Sequence, residues 1–79
     1  MNKYEGKWVY LEDVIGPLAE EYGLPYISFD NLVILGKRAM RVYHQEEQGR
    51  KITFEMMCKY INDYISTPFG LNSLRRLAV

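Results

Sequence analysis

The sequence predicts one small, mainly helical domain, an all-α fold of three to four short helices. Two observations carry this. Phe29, Leu32, Val33, Gly36, Ala39, Met40 and Tyr43 recur on one stripe at helical spacing, as do Phe54, Met57, Cys58, Ile61, Tyr64 and Ile65. A third supports them: Ser28 and Thr53 stand directly before the two stripes, where a hydroxyl can accept a hydrogen bond from the first free backbone N–H groups of a helix. Seventy-nine residues allow a single domain, residues 1–79, with a small core and a stability of about 3–5 kcal/mol.

The elements run in order along the chain. Residues 3–10, Lys-Tyr-Glu-Gly-Lys-Trp-Val-Tyr, read as an extended lead-in or edge strand. Leu11, Val14, Ile15, Leu18, Ala19 and Tyr22 predict a helix over 11–22. Gly16-Pro17 interrupts it, because proline cannot donate a backbone hydrogen bond. Either the helix kinks there or it starts afresh with Pro17 in its first turn. Gly23 suits the left-handed stop, and Leu24–Ile27 reads as a turn. The helix after Ser28 carries Asp30 near its positive end and sets Lys37, Arg38, Arg41, His44 and Gln45 on the face opposite its apolar stripe. The polar run 45–51 ends or interrupts that helix. The third helix starts after Thr53 and breaks at Ser66-Thr67-Pro68-Phe69-Gly70, and residues 72–77 form a last short turn of helix. One alternative concerns the middle. Residues 40–44 and 50–54 could pair as a β-hairpin around Gln48-Gly49, giving an α+β winged helix with its hairpin at about 40–54; the stripe continuing through Tyr43 favours helix.

Composition excludes several classes. One cysteine, Cys58, allows no internal disulfide, which a secreted domain of this size would usually need. No apolar run approaches the roughly 20 residues of a membrane span, and the N-terminal residues lack the apolar core of a signal peptide. The expectation is a cytoplasmic protein without membrane contact. Net charge is zero but uneven: residues 1–30 hold two cations against six carboxylates, net −4, and residues 31–79 hold eight against four, net +4. A neutral total argues against indiscriminate nucleic-acid binding, while the basic second half leaves room for a localised basic face.

Catalysis finds little support. His44, the only histidine, lies on the polar face of its helix, and Cys58 lies on an apolar stripe, where a thiol packs as a small hydrophobe. The pairs Glu12/Asp13, Glu20/Glu21 and Glu46/Glu47 are adjacent, and neighbours on a helix point in different directions. No spaced metal-ligand cluster and no phosphate-cradling glycine loop occurs. The expectation is no enzyme, no metal and no cofactor.

Binding has more to stand on. Leu18-Ala19-Glu20-Glu21-Tyr22-Gly23-Leu24, with Phe29 and Leu32 after it, resembles a helix-turn-helix motif: a small residue inside the first helix, Gly at the turn four residues later, and apolar anchors in the second helix. The resemblance covers about residues 17–40. It implies a second helix lying in the DNA major groove and led by Tyr26, Ser28, Asp30 and Asn31, with Lys37, Arg38, Arg41, Arg50 and Lys51 on backbone phosphates. Gly6–Val14 together with Gly49–Glu55 and Tyr60-Ile61 is similar to the two ends of excisionase-type winged-helix domains, small DNA-binding proteins of phages and mobile elements. Leu18–Phe29 is also similar to a stretch in the N-terminal domains of secretion and pilus assembly ATPases, whose nucleotide-binding signatures the chain lacks. The leading expectation is a DNA-binding regulatory or accessory protein, of phage or mobile-element type and acting as a homodimer. The alternative is a protein-interaction module, an adaptor or inhibitor that binds a protein partner and no nucleic acid. The acidic first third and the aromatic side chains of Tyr4, Trp8 and Tyr26 motivate it.

Overall fold

The computed structural model describes residues 7–43 and 53–78. Its elements are β1 (Trp8–Tyr10), α1 (Glu12–Ile15), α2 (Leu18–Tyr22), β2 (Tyr26–Ser28), α3 (Phe29–Val42), α4 (Phe54–Ile65) and α5 (Pro68–Leu77). The protein is mainly helical, as the apolar periodicity predicts. It is not all-α, because β1 and β2 pair antiparallel with Val9 opposite Ile27.

Three hydroxyl caps set the helix starts. The Oγ of Ser28 accepts from the N–H of Asn31 at 3.2 Å, and Oγ1 of Thr53 from that of Met56 at 3.1 Å. Oγ1 of Thr67 does the same for Gly70 at 3.1 Å. The first two caps stand where the sequence places them. The third refines the C-terminal reading: α4 ends at Ile65, just before Ser66–Gly70 as the sequence predicts, and Pro68 then opens a further helix. Its missing N–H falls where a helix has no internal acceptor to offer, so α5 begins four residues before the expected short turn.

Gly16-Pro17 ends α1 and restarts the chain as α2, the second of the two outcomes the sequence allows. Gly16 sits at φ 59°, and Pro17 takes the cap position before Leu18. Gly23, at φ 64°, then reverses the chain, and the N–H groups of Gly23 and Leu24 turn back to the carbonyls of Glu20 and Ala19. A β-carbon would strain both positions. The segment after Gly23 differs from the expected turn: residues 26–28 are strand β2, which stands between the five-residue α2 and the fourteen-residue α3. The reason is tertiary. Ile27 gains complete burial by pairing with Val9, a partner eighteen positions away in the sequence.

The hairpin alternative fails on its first strand. Met40–Val42 continue α3, because Ala39 and Met40 stay on the buried stripe. Phe54, at the end of the second strand, begins α4, while residues 44–52, His44, Arg50 and Lys51 among them, lie outside the described residues.

The core gathers Leu32 and Leu35 of α3, Ile61 and Ile65 of α4 and Leu74 of α5, with Leu11 and Ile27 closing it from the sheet side. Helices α3, α4 and α5 pack on one another, α1 packs on α4, and α2 packs chiefly on α1. Asn62 of α4 ties the two groups together: its Nδ2 donates to the carbonyl of Val14 at 2.6 Å and to that of Cys58 at 2.9 Å. The C-terminus is tied as well. Ala78 bridges Ile27, and Nδ2 of Asn31 donates to the carbonyl of Leu77 at 3.1 Å.

Leu35 has no exposed surface, whereas Phe29 is only half-buried at the core's margin. Leu35→Ala should therefore cost about 2–5 kcal/mol, enough to unfold most of the protein, and Phe29→Ala distinctly less. Urea unfolding monitored by circular dichroism checks the order. Equal losses would mean that Phe29 is as deeply packed as Leu35.

Candidate interaction surface

The sheet has two unlike faces. Side chains alternate along a strand, so the inward Val9 and Ile27 leave Trp8, Tyr10, Tyr26 and Ser28 on the opposite face. The inward pair is almost wholly buried. The outward aromatics are not: Trp8 is 62% exposed, Tyr10 54% and Tyr26 39%. Tyr10 stands directly across from Tyr26, with ring centroids 5.0 Å apart and planes tilted by 45°. Such a cross-strand pair adds about 0.2–1 kcal/mol to the sheet. Backbone bonds extend the ladder beyond both ends, from the N–H of Leu11 to Pro25 O at 2.9 Å and from the N–H of Phe29 to Lys7 O at 3.0 Å.

The Tyr10–Tyr26 end of the sheet opens into a shallow cleft of about 840 Å³. Its apolar lining comes from the two tyrosines with Pro17, Leu24 and Pro25. Glu12, Asp13 and Glu20 line it too, all three exposed, and no cation does so among the described residues. The local chain geometry produces this. Gly16-Pro17 breaks one helix into two short ones, and Gly23 with Pro25 returns the chain to the sheet, so both turns border the same hollow.

The residues expected to contact DNA divide. Lys37, Arg38 and Arg41 are exposed together on the outer arc of α3, at helical spacing and beside the exposed Ile34 and Val42. Tyr26 is exposed, but its side chain belongs to the outer face of the sheet. Ser28 and Asn31 are half-buried and already engaged, Ser28 as the cap of α3 and Asn31 as donor to Leu77. The start of α3 is thus flanked by β2 and the end of α5, while its three cations lie about 12–18 Å further along the axis.

Sequence reasoning missed Tyr10 as a surface residue and missed the joining of Glu12, Asp13 and Glu20 with the tyrosines. A signal for the sheet was there. Trp-Val-Tyr and Tyr-Ile-Ser are matched triplets with a β-branched residue at the centre, the pattern of two short strands that bury only their middle positions.

Cys58 offers no reactive centre. Its thiol is pushed from an ordinary 9.0 up to about 11, first because partial burial disfavours the thiolate, then because Asp13 and Glu55 place negative charge nearby. Among the described residues no three His, Cys, Asp or Glu side chains gather to hold a metal ion, and no helix is long and apolar enough to cross a membrane. Alkylation of Cys58 should be slow at pH 8, with roughly a hundredfold less thiolate than an ordinary cysteine, and its rate should rise up to about pH 11. A pH–rate profile for iodoacetamide checks this, and a midpoint at or below 9 would contradict it.

No protein-family model, curated protein or solved structure matches the chain.

Proposed function

We propose that this chain is a protein-interaction module that docks a partner on the outer face of its sheet and the adjoining cleft. One observation carries the reading: Trp8, Tyr10 and Tyr26 stand together in solvent on a face that the fold's own core does not need. Val9 and Ile27 already supply the sheet's buried side. Tryptophan and tyrosine left on a surface give a partner large, stiff, amphipathic contact area, and such residues dominate binding energy at protein interfaces. A net charge of zero and the carboxylates beside the aromatics support a protein partner over a phosphate polymer at this face.

A second reading is favoured by a different observation, the exposure of Lys37, Arg38 and Arg41 on one arc of α3. It makes the chain a DNA-binding regulatory or accessory protein, working as a homodimer on paired half-sites. In that case α3 lies against the phosphate backbone through its C-terminal half, since Ser28 and Asn31 at its start serve the fold.

The two readings separate by mutation. With a partner captured from the source cell and then purified, Tyr10→Ser combined with Tyr26→Ser should weaken binding about thirtyfold or more, while the melting temperature falls by no more than about 8 °C through loss of the cross-strand pair. Unchanged affinity in a titration calorimeter would refute the sheet-face reading. For DNA, fluorescence polarisation on duplex fragments should show binding that falls steeply with salt and is lost in Arg38→Glu with Arg41→Glu. Affinity that ignores salt, or survives the double substitution, removes the second reading.

A further inference from the structure

We infer that the cleft takes an arginine-bearing segment of a partner protein, an inference that rests on the sheet face being the docking surface and names what docks there. Two independent features of the cleft select the same sign of charge. The first is electrostatic. Glu12, Asp13 and Glu20 line the hollow, and none of the described residues lining it carries positive charge. No described residue of the lining compensates their field, so it attracts a cation and repels a phosphate chain. The second is aromatic. Tyr10 and Tyr26 are both partly open to solvent and tilted toward one another at 45°, and the negative face of a tyrosine ring attracts a cation lying over it.

Arginine suits this pair of features better than lysine. Its planar guanidinium stacks on an aromatic ring and presents a fork of donors that matches a carboxylate, whereas an ammonium is a hydrated point charge. The remaining lining fits the rest of such a segment. Pro17, Leu24 and Pro25 supply stiff apolar walls for the methylene stem of arginine and for an apolar neighbour. The volume, about 840 Å³, lies within the roughly 300–1,000 Å³ of pockets that hold small ligands, which is room for a few side chains of an extended segment and not for a folded element. Pro17 and Pro25 fix their own φ, which limits rearrangement of the cleft wall and the ordering entropy lost when it fills.

The test uses the full chain, labelled with ¹⁵N, and three capped peptides of one proline-containing sequence that carry arginine, glutamine or glutamate at the same two positions. The arginine peptide is expected to shift the amide signals of Tyr10, Glu12, Asp13, Gly23 and Tyr26 saturably, and to weaken about tenfold or more on moving from low to high salt. Glu12→Gln with Asp13→Asn and Glu20→Gln should reduce its affinity about tenfold with the amide spectrum of the core unchanged. Tyr10→Leu, which keeps an apolar side chain in the strand, should weaken it separately.

Equal binding of the glutamine peptide overturns the inference, and so does failure of all three peptides to move the cleft signals. Concentration-dependent shifts of those signals without peptide, from a second copy of the chain, also overturn it, as does their displacement by an oligonucleotide. None of these removes the sheet-face reading, which falls only if the Tyr10→Ser/Tyr26→Ser variant keeps full affinity for the captured partner.

Discussion

Ile27 is the point on which the structure depends. Its side chain is wholly buried, its backbone pairs with Val9 on one side, and Ala78 bridges it on the other. A two-stranded sheet of three residues per strand has no stability of its own in water. It exists here because the helices bury its inner face, and the helices are closed off at that end because the sheet is there. The two interactions are mutually required, which is the usual condition of a small domain whose core admits no spare parts.

That constraint also fixes the character of the surface. Once Val9 and Ile27 point inward, strand alternation leaves no choice for Trp8, Tyr10 and Tyr26: they must face away from the core. Once β2 leads directly into α3 and the chain's end comes to rest beside it, the polar groups at the start of α3 are drawn into the fold. Ser28 caps the helix, and Asn31 holds the carbonyl of Leu77. The positive charge of α3 is then displaced toward its far half. The molecule therefore presents two chemically distinct exteriors, an aromatic and acidic one at the sheet and a basic one along α3.

The acidic surface has an effect inside the protein as well. Asp13 lies close enough to Cys58 to add to the burial that holds the thiol neutral. The same packing of α1 on α4 is secured by Asn62, whose amide reaches two carbonyls at once, Val14 on one helix and Cys58 on its own. Both bonds are partly shielded from water, so this one side chain helps to keep the short α1 in register with the main bundle.

Local chemistry alone determined much of this protein. The stripes of α3 and α4, the caps at Ser28 and Thr53, the stop at Gly23 and the outward turn of Lys37, Arg38 and Arg41 all come from spacing and side-chain type within a few residues. Tertiary structure decided the rest. Residues 26–28 become strand and not turn because their partner is residues 8–10, and residues 68–71 become helix because Gly70 and Leu74 find burial against the bundle. Asn31 exchanges any outward role for an inward one through its contact with Leu77 at the far end of the chain. The cleft exists only when Tyr10, the acidic α1 and the two proline turns are brought together. Such pairings join residues distant in sequence, and their free energy resides in buried area that no short window of sequence contains.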